Sequence, residues 1–224
     1  MTKRLCICLT EPTLQDCRRL VLSTDADLIE HRLDFMDEIS SLNEIYSATD
    51  KPIIATCRSR HHGGNFAGDE LERERILVSA IKQGASFVDI EIDTEHQYLA
   101  EIHNAARNYN CQLIISKHFT NITPDTTKLL DLVKQMREAR ADILKIVVTP
   151  KSISDCGRVI QLYSHVTSNT NLIAFAMGKL GKFTRIAALF LGAPFMYVSQ
   201  DEGKPAAPGQ ISLSEMRAIV RSLL

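Results

Sequence analysis

The stretch DILKIVV, Asp142 to Val148, sets a lysine inside a run that otherwise reads as a buried β-strand. Ile143, Leu144, Ile146 and Val147 offer the Lys145 ammonium no polar partner in sequence, and burial disfavours its charge. A lysine so placed is expected to hold some neutral amine near pH 7, and a neutral amine adds to a ketone or aldehyde to form a Schiff base. A structural lysine paired with Glu30 or Glu91 fits the strand context equally well. His118 ends the preceding strand-like run, IISKH. Adjacent strands lie roughly 5 Å apart, so its imidazole can reach a carbon beside an imine and move protons there. A histidine at a strand end is ordinary by itself. Beside a buried lysine, the acid–base reading is the stronger one.

Other charged residues also fall where apolar runs end. Glu30 and Arg32 lie in the second such run, Arg58 closes the third, and Glu91 and Asp93 end the fourth. Arginine grips carboxylate or hydroxyl oxygens and glutamate accepts from hydroxyls, a combination suited to a polyhydroxylated acid. Ion pairing within the protein is the alternative, favoured for Arg32. The loop RSRHHGGNF carries His61 and His62 side by side, too close in sequence to suggest a metal site without further ligands. A metal-free site is expected. The six cysteines have no zinc-ligand spacing and read as small buried hydrophobes kept reduced.

Eight short β-rich runs recur along the chain: 4–9, 27–33, 52–58, 87–92, 112–118, 143–148, 172–177 and 195–200. Between them apolar residues repeat at helical spacing, as in Leu129, Leu132, Val133 and Met136. Thr123-Pro124-Asp125, Ser152 and Ser212 or Ser214 signal helix starts, and Gly84 a stop. Eight strands each followed by a helix predict an α/β protein, a (β/α)8 TIM barrel, with residues 1–224 as one domain. An open doubly wound sheet is disfavoured because LTEPTLQD, after the first strand, has no glycine to cradle phosphate. In such a barrel, reactive groups gather at the strand ends and the loops that follow.

Composition narrows the partners. The chain has 224 residues, 45% apolar and 24% charged, with a net charge of −1 from 26 basic and 27 acidic residues. No basic excess points to nucleic acid, and no polybasic run points to a lipid surface. No apolar run approaches the roughly 18 residues of a membrane span. The apolar part of MTKRLCICLTEP is too short for a signal peptide and passes directly into a strand, so a cytoplasmic location is expected.

With Lys145, His118 and Arg58 placed, the sequence resembles type I 3-dehydroquinate dehydratase of the shikimate pathway along essentially its whole length. The carriers are IEHRLD (29–34), ATCRSRHHGG (55–64), ISKHF (115–119), ILKIVVTP (143–150), MGKLGKFTR (177–185) and AAPGQI (206–211). Each is weak alone; their order at barrel-strand spacing is specific. The resemblance implies a (β/α)8 barrel, usually a homodimer, needing no cofactor. It implies a lyase that dehydrates 3-dehydroquinate to 3-dehydroshikimate by syn elimination. Lys145 would form an imine with the C3 ketone. His118 would help form it, take the C2 proton and protonate the departing C1 hydroxyl. Arg185 would bind the substrate carboxylate, Glu30 and Arg58 ring hydroxyls, with Arg32 behind them, and Gln210 would close over the substrate. Two positions depart from the family pattern. His62 stands where a glutamate that orients the catalytic histidine is usual, and Ala206 where a serine is common.

Two other readings remain at this level. A class I aldolase also uses a barrel lysine on its sixth strand, but would need a phosphate-binding turn, and Arg185 with the APGQ segment favours a carboxylate. A barrel that binds its ligand without turnover draws only on His62 and Ala206.

Overall fold

The computed structural model describes residues 3–167, 169–201 and 205–224. In chain order its elements are β1 (Leu5–Leu9), α1 (Leu14–Ser23), β2 (Leu28–Arg32), α2 (Asn43–Tyr46), β3 (Ile53–Thr56), α3 (Glu70–Lys82), β4 (Phe87–Glu91) and α4 (His96–Asn108). They continue with β5 (Gln112–Phe119), α5 (Thr126–Glu138), β6 (Ile143–Val148), α6 (Ile153–His165), β7 (Leu172–Ala176), α7 (Gly178–Leu191), β8 (Met196–Val198) and α8 (Leu213–Leu223). The strands form one sheet in the order β7-β6-β5-β4-β3-β2-β1-β8. This is the alternation of a (β/α)8 barrel, and the eight expected strands are all found.

Five of the helices begin where a short polar side chain takes an orphan N–H. Thr13, Asp69, Asp125 and Ser212 each accept from the backbone N–H three residues on. Ser152 does the same within a reciprocal capping box with Asp155. Gly84, at φ +108°, follows the end of α3, as its sequence position predicts. The expected helix after β2 shrinks to the single turn α2.

Contacts divide the chain into two compact units, one of residues 8–115 and one of residues 1–7 with 116–224; they are called here the N-terminal and C-terminal units. In the N-terminal unit, β2, β3 and β4 pair in parallel. Ile29, Ile53, Ile54, Ala55 and Val88 are fully buried or nearly so, giving the unit its apolar body. In the C-terminal unit, β6 pairs with β7 from Leu144 opposite Leu172 to Val148 opposite Ala176, and β8 pairs with β1. Gly181 lets α7 close on β7: a Cβ there would lie 2.4 Å from the carbonyl oxygen of Ala176. Thr184 then accepts from the Ala176 N–H at 2.9 Å, fixing the turn that carries Arg185. All six cysteines are buried thiols, and burial pushes Cys17 up to about 12.

Candidate active site

In the N-terminal unit the period of two along a strand puts Glu30 and Arg32 on one face of β2, and Asp89 and Glu91 on one face of β4. Thr56 of β3 is the register partner of both Arg32 and Asp89. Charges this deeply buried are costly unless paired, and these are paired. Glu30 accepts from the Thr56 hydroxyl and the Cys8 thiol, each at 3.1 Å. Arg32 makes the two parallel bonds of a guanidinium–carboxylate pair to Asp34, at 2.8 and 2.7 Å. Arg58 donates to Glu91 at 2.8 Å and pairs with Asp89 at 2.7 Å. Burial works against the Arg58 charge, but Asp89, Glu91 and Glu30 outweigh it and hold its pKa above the usual range. For Glu91 burial acts upward, and Arg58 and Arg73 overcome it to hold the carboxyl below the usual range.

Arg58 does not close β3, which ends at Thr56. The loop folds back on Arg58 instead: the Phe66 N–H donates to its carbonyl at 3.1 Å, taking that group from the ladder. Gly64 makes the return possible, since a Cβ there would stand 2.1 Å from the same oxygen. Asp93 likewise lies in the turn beyond β4. The loop places His62, buried, with Nε2 3.0 Å from an Asp93 carboxylate oxygen. Asp34 ties the loop down by accepting from the backbone N–H groups of Arg58 and Asn65, at 3.2 and 2.9 Å.

The C-terminal unit holds Lys145 buried at the middle of β6, 4% exposed. Its Nζ stands 4.0 Å from the centroid of the Tyr197 ring on β8. His118 is half-buried in β5, next to β6 in the sheet order. Arg185 is buried on α7, its guanidinium 4.1 Å from the centre of the Phe175 ring on β7. Gln210 closes its own turn, accepting from the Ala207 N–H at 3.2 Å. That turn is anchored where Gly178 donates to the Pro208 carbonyl at 3.0 Å. Ala206 is half-buried in it, while Glu202, Gly203 and Lys204 of the same segment lie outside the described residues. Among the described residues, no group of three or more His, Cys, Asp or Glu side chains is arranged to hold a metal ion.

Comparison with known proteins decides among the chemistries such groups can serve. The family described as Type I 3-dehydroquinase matches residues 5–223. This chain belongs to the type I 3-dehydroquinase family. It is 36% identical to the 3-dehydroquinate dehydratase of Dehalococcoides mccartyi strain 195 over 97% of this chain and 95% of that protein. With the enzyme of that name from Desulfotalea psychrophila it shares 34% identity over 97% of each. The crystal structure of 3-dehydroquinate dehydratase from Geobacillus kaustophilus has a TM-score of 0.87 and 26% identity, covering 99% of this chain and 91% of that one.

Several residues that build these two groups of side chains escaped the sequence reading. Asp34 stood inside the quoted IEHRLD run, yet its role as a clasp for the next loop depends on a contact 24 residues away. Arg73 sits in ELERERIL, which reads as an exposed charged helix face. It is buried, bonded to Glu91 and, at 2.8 Å, to Thr94. Tyr197 lay in a quoted strand whose pairing with β1 the sequence does not reveal.

Proposed function

We propose that this member of the type I 3-dehydroquinase family dehydrates 3-dehydroquinate to 3-dehydroshikimate through an imine on Lys145. The observation that carries the reading is an amine buried at the middle of β6 in a chain of this family. The neutral amine adds to the C3 ketone, and loss of the carbonyl oxygen as water leaves a cationic imine. That cation draws electrons from the adjacent C2–H bond, so a proton that is poorly acidic beside a ketone can be removed. His118 takes it, and the C–H pair becomes the C2–C3 double bond of an enamine. The enamine pair then moves between C1 and C2 as the C1 hydroxyl leaves with a proton from His118, completing loss of water and restoring the imine. A second water hydrolyses the imine, releasing the enone and the free lysine. An acid–base group of this kind contributes about 10²–10⁴-fold.

Arg185 is assigned the substrate carboxylate, Glu30 and Arg58 the ring hydroxyls, and Gln210 a closing contact. Arg32, bonded to Asp34, supports from behind. His62 keeps a carboxylate, that of Asp93, 3.0 Å from its Nε2. Ala206 offers no hydroxyl to substrate. Residues 1–224 are read as one catalytic domain that works as a homodimer in the cytoplasm. No described helix is long and apolar enough to cross a membrane. Borohydride added with 3-dehydroquinate should leave one reduced adduct, on the peptide containing Lys145, and enone absorbance should grow without reductant. An adduct on another lysine, or none, would withdraw the assignment.

A further inference from the structure

We propose that the face of Tyr197 is the counter-surface for positive charge on Lys145, favouring the ammonium before reaction and the iminium during it. This inference rests on the imine reading for its second half only. The Nζ of Lys145 lies 4.0 Å from the ring centroid, the distance at which the negative face of an aromatic ring attracts a cation. Both side chains are almost fully buried, so water does little to screen the attraction. The ring is itself held: Phe195 packs edge-on against it, centroids 5.4 Å apart and planes at 70°. Its register partner on β1 is Cys6, a small side chain beside a large one.

The geometry has two effects. The ring occupies one side of the amine, so a carbonyl carbon must approach from another, which orients the lone pair. It also attracts the iminium as it attracts the ammonium, because both carry a full positive charge at the same nitrogen. The neutral amine and the neutral carbinolamine gain nothing comparable. Tyr197 is therefore a positioning residue whose effect follows the charge on Lys145, whereas a space-filling side chain would act alike on every state.

Graded weakening of the ring's face separates the two. Tyr197→Phe, followed by mono-, di- and trifluorophenylalanine at the same position, keeps the shape while draining the negative face; Tyr197→Leu removes the ring. Two readouts are taken on the whole chain: the fraction of Lys145 trapped by borohydride with 3-dehydroquinate, and the rate of Lys145 acetylation by acetic anhydride without substrate. Tyr197→Phe should stay within about threefold of the parent in both, since the π face survives. Along the fluorinated series trapping should fall by about tenfold in all, equivalent to ~1.4 kcal/mol, with kcat lowered more than KM is raised. Acetylation, which needs the neutral amine and passes through no iminium, should move the other way, faster with each fluorine, because the ammonium loses its support. A series flat in both readouts would overturn the proposal, as would equal losses in the Phe and Leu variants. Graded acetylation in a chain that forms no adduct even as the parent would uphold the stack and remove the imine reading instead.

Discussion

The buried arginines of the N-terminal unit stand against carboxylates, whereas in the C-terminal unit Lys145 and Arg185 stand against rings. Arg58 is bracketed by Asp89 and Glu91, and Arg32 by Asp34. Lys145 and Arg185 face Tyr197 and Phe175. The two environments do different things to a cation. A carboxylate fixes it by directional bonds and holds its proton, so removing one partner of a buried pair costs about 3–5 kcal/mol. A ring attracts it by roughly 0.5–2 kcal/mol, with neither a proton to exchange nor a bond direction to impose. The first suits groups that must keep one charge state and one position. The second suits the proposed imine chemistry of Lys145, in which the nitrogen bonds to carbon and is released again.

The comparison can be broken most severely at its reactive end. Lys145→Ala should abolish the borohydride adduct and reduce turnover by about 10⁴-fold or more, the scale expected when covalent catalysis is lost. His118→Ala should still bind ligand, with kcat lowered about 10²–10⁴-fold in a steady-state assay; an unchanged rate would end its assigned role. In the other unit the damage should be structural. Arg58→Leu leaves Asp89 and Glu91 without a shared partner and should cost about 3–5 kcal/mol in urea unfolding.

Much of this was legible in the sequence, and the part that was not has a common cause. The eight strands and three of the helix starts could be read because period, caps and glycines are local signals. Lys145 stood out because its neighbours are uniformly apolar. Arg58 was placed within a strand that ends before it, since the chain's departure depends on Phe66 and Gly64 folding back. Arg73 and Tyr197 gave no signal, because a contact between an arginine and a strand carboxylate, or an amine and a ring, joins segments whose register the sequence leaves open.

Acid should sharpen the contrast. Burial without a charged partner holds His31 at about 4 instead of 6.5, between Cys17 and Tyr46 in the N-terminal unit. Protonation therefore favours the unfolded chain, and stability should decline by about 3 kcal/mol in all as pH falls from 6.5 toward 4. Asp34 and Glu91, held below the usual carboxyl range, contribute stability that is complete above about pH 5 and disappears as pH falls through their folded values. Hydrogen exchange at mild acid should accordingly rise first in β2–β4. His31→Gln should flatten the upper part of the curve, and equal exchange in β6–β8 would contradict the contrast. The smallest effect belongs to Arg185→Leu: loss of the ring contact should cost about 1 kcal/mol in thermal unfolding, far less than Arg58→Leu.

Gly209, at φ +77°, carries a further consequence. A methyl group there would meet the Gly178 carbonyl oxygen at 2.3 Å, so the chain can cross the first turn of α7 only because Gly209 is bare. The segment bearing Gln210 and the helix bearing Arg185 are thus pinned at one point. Natural drift in one will be inherited by the other, and attempts to redesign this end of the protein will succeed only by altering the two together.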